Sequence, residues 1–204
     1  MPTDANRPVA DVTTQYAYKP SLLGAVWQFR LAPDAIEWDG GNRSGRIPYG
    51  DIRRLRLSFR PVTMQTYRFL AEIWAVGAPK LQFASSSWRS MVDQERHDAA
   101  YSSFVVELHR RLAAAGADAT FEGGSPAFLY WPGLVMFGGV SIALAALTVR
   151  GLQAQAWVGT AIVAGFLGLF LWQAGTFFQR NRPGAYRPEA VPRRLLPDSG
   201  TFRI

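Results

Sequence analysis

The chain of 204 residues contains no cysteine and only two histidines, His97 and His109. No disulfide can form, and no thiolate is present to act as a nucleophile or zinc ligand. Two histidines without a second ligand at metal-site spacing give no support to a metal centre or a histidine-based nucleophile. The absence of cysteine suits a reducing compartment but does not exclude an oxidising one. Lysine is almost missing, since 20 of the 22 basic side chains are arginine. The opening residues, MPTDANRPVADVTTQYAYKP, have no apolar core of the kind a secretory signal needs.

Charge is absent from two long stretches. Ala127 to Val149 runs for 23 residues without a charged side chain, and Gln153 to Gln179 for 27 more, with Arg150 the only charge between them. A mean hydropathy of −0.01 hides this concentration. A bilayer core about 30 Å thick needs roughly 20 apolar residues in a helix, so each stretch is long enough to cross once. A buried helical pair in a soluble core is the alternative, but such helices keep a polar stripe, and these are apolar on every face. Tyr130, Trp131, Trp157 and Trp172 lie near the ends of the stretches, where amphipathic rings favour the headgroup level. The expectation is a transmembrane hairpin with spans at 127–149 and 155–178 and a turn at 150–154.

Arginine sets the expected orientation. Arg180, Arg182, Arg187, Arg193 and Arg194 follow the second span, and Arg110 and Arg111 precede the first, while the turn carries only Arg150. Both ends are therefore expected in the cytoplasm. Arginine-over-lysine usage and alanine-rich spans suggest a bacterial chain, and hence the inner membrane. The last segment, 179–204, reads as a basic cytoplasmic tail. No Asp, Glu, Lys or Arg lies inside either span, which removes the ionisable groups that a proton relay or ion pathway uses.

The residues before the hairpin are enough for one small domain at 21–115, preceded by a polar, proline-containing tail at 1–20 and followed by a linker at 116–126. Trp27, Phe29 and Leu31 alternate with polar residues, as do Ile36 and Trp38, and Asp39-Gly40-Gly41-Asn42 between apolar runs is a hairpin signal. Further strands are expected at Gly45 to Pro48, from Ile52 to Arg60, from about Thr66 to Val76, and through Lys80 to Ala84, six in all. Tyr101, Phe104, Val105, Leu108 and Leu112 then share one face of a helix, with Gly116 as its stop. His109 falls on the polar side of that helix and reads as solvated.

This plan, and the segment Gly45-Arg46-Ile47-Pro48-Tyr49-Gly50-Asp51-Ile52-Arg53-Arg54-Leu55 above all, resembles the bacterial pleckstrin-homology-like (PH-like) domain, with its I-P-Y-x-D/E-I signature. The resemblance spans Trp27 to Leu112. It implies an α+β fold, a small, partly open antiparallel β-barrel or sandwich capped by one C-terminal helix. It also implies binding or scaffolding near membranes without catalytic chemistry. The long polar segment Ser85 to Ala99 departs from the pattern.

No residue set calls for an enzyme or a cofactor. Asp93, Glu95 and Asp98 sit in a polar loop beside Arg89 and Arg96, which points to exposure and pairing. Gly40-Gly41 and Gly123-Gly124 lack the lysine and helix start of a phosphate loop. The candidate contacts with anionic lipid headgroups, or with a protein partner, are Arg54, Arg56 and Arg60 on one strand face, with Arg180 and Arg182 beside the hairpin. Each charge at the headgroup surface is worth about 1 kcal/mol. Membrane flanks account for much of the net charge of +7, so nucleic acid is not an expected partner. Candidate helix-packing residues are Gly139 and Ala143 in the first span and Ala161, Ala164, Gly165 and Gly168 in the second. They are expected to join the two spans, or else to meet another membrane protein or a second copy. Two functional classes follow: a membrane-anchored interaction or assembly factor, and an accessory subunit of a larger membrane complex.

Overall fold

The computed structural model describes residues 14–61, 67–88 and 94–197. Period-two alternation builds a four-stranded antiparallel sheet from β1 (Gln15–Tyr18), β2 (Trp27–Leu31), β3 (Ala35–Asp39) and β4 (Ser44–Pro48), in that order. Tyr16, Tyr18, Phe29, Leu31, Ile36, Trp38 and Ile47 point into the core, and the residues between them face outward. Gly41 at the β3–β4 turn has φ +85°, and its N–H donates to Asp39 Oδ1 at 2.8 Å. The neighbouring Gly45 leaves room for a ring, since an added Cβ would lie 2.9 Å from Trp38 Nε1.

A short 3₁₀ turn, Tyr49–Asp51, leads into β5 (Ile52–Pro61), which heads the second sheet with β6 (Tyr67–Ala75) and β7 (Leu81–Ala84). Two later strands, β10 (Thr120–Gly123) and β11 (Gly184–Ala185), complete it in the order β11-β10-β5-β6-β7. Here β10 lies parallel to β5, and β11 antiparallel to β10. Helix α1 (Asp98–Ala114) lays Tyr101, Phe104, Val105, Leu108 and Leu112 into the core between the sheets. Gly116, at φ +59°, ends it. Arg111 fixes its far end, donating to the carbonyls of Leu31 (3.0 Å) and Ala32 (2.6 Å).

All six expected strands form, but the sheets do not close into a barrel. Along the gap between β1 and β7 no backbone ladder forms. Tyr16 Oη donates instead to the Ala84 carbonyl (2.5 Å) and Tyr18 Oη to the Gln82 carbonyl (2.7 Å). Tyr16 also packs on Phe83, Tyr101 and Phe104 at centroid distances of 5.6–6.0 Å. These tyrosines lie in the segment expected to be a tail. A four-residue strand is too short for periodicity to reveal, and its stability comes from partners on β2 and β7. Replacing Tyr16 or Tyr18 by phenylalanine keeps the packing and leaves a carbonyl without its donor, so each change should cost about 1–2 kcal/mol. Thermal unfolding of the full chain in detergent would show it, and an unchanged midpoint in the double variant would remove the seam from the account.

The expected linker and tail also hold structure, namely β10 and β11. The polar segment departing from the resemblance contains a two-stranded hairpin of β8 (Ser86–Trp88) and β9 (Gln94–Arg96). Arg89 and Asp93 lie outside the described residues, as do residues 1–13 and 198–204. Arg96 reaches Asp98 at 2.5 Å and the Tyr67 hydroxyl at 3.1 Å.

Helices α2 (Ala127–Gln153) and α3 (Trp157–Arg180) are long and apolar enough to cross a membrane. Large apolar side chains, among them Phe128, Val135, Met136, Ile142, Val158, Ile162 and Phe166, are exposed around both. Hydroxyls within the helices bond the carbonyl four residues back, as Ser141 does to Phe137 and Thr148 to Leu144, both at 2.8 Å, so no apolar solvent has to receive them.

Candidate functional site

The junction between the helical hairpin and the β-domain is held by buried polar contacts. β10 pairs with β5 from Arg54 to Leu57, and the Gly124 N–H continues the ladder to the Leu57 carbonyl at 2.8 Å. Gly124 then turns at φ +82° beneath the Asn181 carbonyl, which any Cβ would strike. Two residues on from β10, Ser125 N–H donates to the same carbonyl at 3.0 Å, and α2 begins.

Asn181, directly after α3, takes over the ladder where β10 leaves it. Its Nδ2–H donates to the Phe59 carbonyl (2.7 Å) and its Oδ1 accepts from the Phe59 N–H (3.0 Å). A side-chain amide thus stands in for one peptide unit of a neighbouring strand. The residue is 0% exposed. Arg180, one residue earlier, lies over the rings of Phe59 (5.2 Å) and Phe69 (5.9 Å). Both ends of the hairpin are therefore fastened to the same strand.

Beyond Asn181 the chain folds back over α1. Leu195 is fully buried, and Gly123 makes room for it. Tyr186 packs against Phe121 and covers His109. His109 corrects the sequence expectation, being 1% exposed. Its Nδ1–H donates to the Val105 carbonyl at 2.7 Å, so the neutral ring's Nε2 accepts from the Tyr186 hydroxyl at 2.9 Å. Burial lowers its pKa to about 4, against the Val105 hydrogen bond, which raises it. The helix face looked polar because its covering residue lies 77 positions away.

The candidate arginines separate into two groups. Arg54 stacks on Trp74 at 4.0 Å, and Lys80 approaches the same ring at 4.8 Å while pairing with Glu72. Arg56 is bonded to Glu122 through Nε at 3.0 Å and through its terminal nitrogen, with only 15% of its side chain exposed. Neither presents the bare guanidinium that the sequence stripe implied. Arg60 and Arg182 are exposed. Arg60 stands directly across from Arg68 on β6.

A groove of about 710 Å³ crosses the outer face of the four-stranded sheet between Gln15, Gln28, Arg30, Glu37 and Arg46. Its charges pair with one another or with Asp34, as Arg30–Glu37 and Arg46–Asp34 do at 2.5 Å. Among the described residues no group of His, Asp and Glu could hold a metal ion.

The six candidate packing residues of the hairpin face outward. Gly139, Ala143, Ala161, Ala164, Gly165 and Gly168 are all exposed, and a Cβ added at Gly139, Gly165 or Gly168 would meet nothing within 4 Å. The two helices meet instead through larger side chains, with Phe137 5.2 Å from both Phe170 and Phe178, and Tyr130 5.6 Å from Phe178. Half-buried positions at 137, 141, 144 and 148 and at 163, 167, 170 and 174 repeat at spacings of four and three, which is the seam of two helices packed side by side. The expectation that the small residues join the spans is thus corrected.

Comparison of the chain with protein-family models, curated proteins and solved structures finds no match.

Proposed function

We propose that this is an integral protein of the bacterial inner membrane, with both ends of its hairpin on the cytoplasmic side. Its β-domain, of PH-like plan, serves there as a non-enzymatic interaction or assembly module. The observation that carries this reading is the junction. Asn181 and β10 bind the two hairpin ends to one strand, so the domain is held at a set height and orientation instead of hanging from a linker. A domain held in this way suits presenting one surface to a partner near the bilayer. The arginines at the hairpin ends support the assigned orientation.

A second reading, an accessory subunit of a larger membrane complex, is favoured by the outward placement of all six small residues. Such faces let another helix approach closely in lipid. Gentle detergent extraction of the tagged protein from its native membrane, followed by native gel and mass spectrometry, tests both readings. A stoichiometric partner lost on Arg54→Glu places the contact on the β-domain. One lost on Gly139→Leu with Gly165→Leu places it on the hairpin, because these changes leave the seam between α2 and α3 untouched. Recovery of the wild type as a lone monomer would overturn both.

A further inference from the structure

On the outer face of the β5–β6 ladder, basic residues are matched to partners with one exception. Arg54 faces Trp74 and Arg56 faces Glu72 while bonding Glu122, but Arg60 faces Arg68. Like charges directly opposite on antiparallel strands repel. No carboxylate among the described residues lies within ion-pair distance of either guanidinium. Arg68 is partly buried, its Nε is fully buried without a hydrogen-bond partner, and burial together with the charge of Arg60 lowers its pKa. Two arginines directly opposite one another and an unused donor are the arrangement that an anionic oxygen cluster would satisfy.

Position identifies the occupant. Phe59, adjacent to Arg60, is bonded to Asn181, the first residue after α3. If α3 spans the bilayer, this level is that of the lipid phosphates. We propose that Arg60 and Arg68 clasp the phosphodiester of an anionic glycerophospholipid, one whose headgroup carries no cation of its own. A choline or ethanolamine group would bring positive charge to a site that already holds two unpaired arginines. The lipid relieves the repulsion between the two arginines and ties the β-domain to the leaflet at a second point beyond the hairpin. This rests on the reading that the domain sits at a membrane surface.

The test is native mass spectrometry of the delipidated full chain in neutral detergent, titrated with phosphatidylglycerol, with phosphatidylcholine, and with inorganic phosphate as competitor. Arg60→Gln and Arg68→Gln should each weaken phosphatidylglycerol binding about fivefold, and the double variant about 25-fold. Phosphatidylcholine binding should stay unchanged, as should phosphatidylglycerol binding by Arg53→Gln. In lipid-free detergent Arg60→Gln should raise the midpoint of thermal unfolding by about 1–3 °C, because it removes a repulsion, whereas a structural arginine would lower it. Wild-type affinity in the double variant, or an equal loss in Arg53→Gln, would overturn the site. Full displacement of lipid by millimolar inorganic phosphate would overturn the choice of lipid in favour of a soluble phosphate. A chain that stays dispersed without detergent would overturn the membrane reading itself, whereas one that needs detergent but ignores phosphatidylglycerol would overturn only this site.

Discussion

Replacing Asn181 with leucine is expected to destabilise the β-domain by about 2–6 kcal/mol, the largest effect of any single polar substitution considered. Leucine keeps the branched outline of asparagine but is bulkier, so a tighter fit at this fully buried position adds to the cost. What is lost is the pair of hydrogen bonds to Phe59, at 2.7 and 3.0 Å. The Phe59 N–H and carbonyl would then be buried without partners, each costing about 1–3 kcal/mol. Asn181→Asp should be nearly as harmful, because a second oxygen would replace Nδ2–H opposite the Phe59 carbonyl. Chemical unfolding in detergent, followed by tryptophan fluorescence, measures the global effect. Hydrogen exchange over β5 and β10 should show protection lost at that end of the ladder first. A leucine variant within about 0.5 kcal/mol of wild type would mean that water or a backbone shift replaces the amide, and the fastening of hairpin to sheet would have to be abandoned.

Acidification is expected to release the segment that follows the hairpin. His109 has an ordinary pKa of 6.5, lowered to about 4 in the folded chain, chiefly by burial. Its neutral form is therefore favoured by folding. The corresponding stability is fully present above pH 6.5, declines as pH falls from 6.5 towards 4, and is absent below that. The fall amounts to about 3 kcal/mol. The groups around the ring are Val105, Phe121 and Tyr186, and Tyr186, whose own pKa burial raises, stays protonated throughout. A protonated Nε2 could no longer accept from the Tyr186 hydroxyl, so the first consequence is loss of contact between Tyr186 and α1. Limited proteolysis of the segment around Tyr186 at pH 7.5 and 4.5 reads this out, with faster cleavage at the lower pH. In His109→Phe the ring keeps its packing without a titratable group, and the difference between the two pH values should disappear. Equal cleavage of the wild type at both would show that another group governs the docking.

Much of the fold is legible in the sequence. The six strands from Trp27 to Ala84, the buried stripe of α1 and its stop at Gly116 follow from periodicity and turn chemistry confined to neighbouring residues. Three parts of the site are not legible in this way. Asn181 looks like any polar residue after an apolar helix, and its partner lies 122 positions earlier. Tyr186 and Leu195 carried a faint signal, as apolar residues in a basic segment that would otherwise have no reason to hold them. Tyr16 and Tyr18 alternate with Gln15 and Ala17, but over too few residues to distinguish a strand from a tail.

The sequence by itself determined the properties that depend on contiguous residues: two helices long and apolar enough for a bilayer, six strands, one amphipathic helix, and a chain without thiol chemistry. Tertiary structure decided which of those residues meet. It set Arg54 on Trp74 and Arg56 on Glu122, left Arg60 facing Arg68, buried His109 under Tyr186, and turned Gly139, Gly165 and Gly168 away from the hairpin's own seam. The physical reason is that hydrophobic period and span length are sums over local residues, whereas the fate of a polar group depends on a single partner that folding brings from far along the chain.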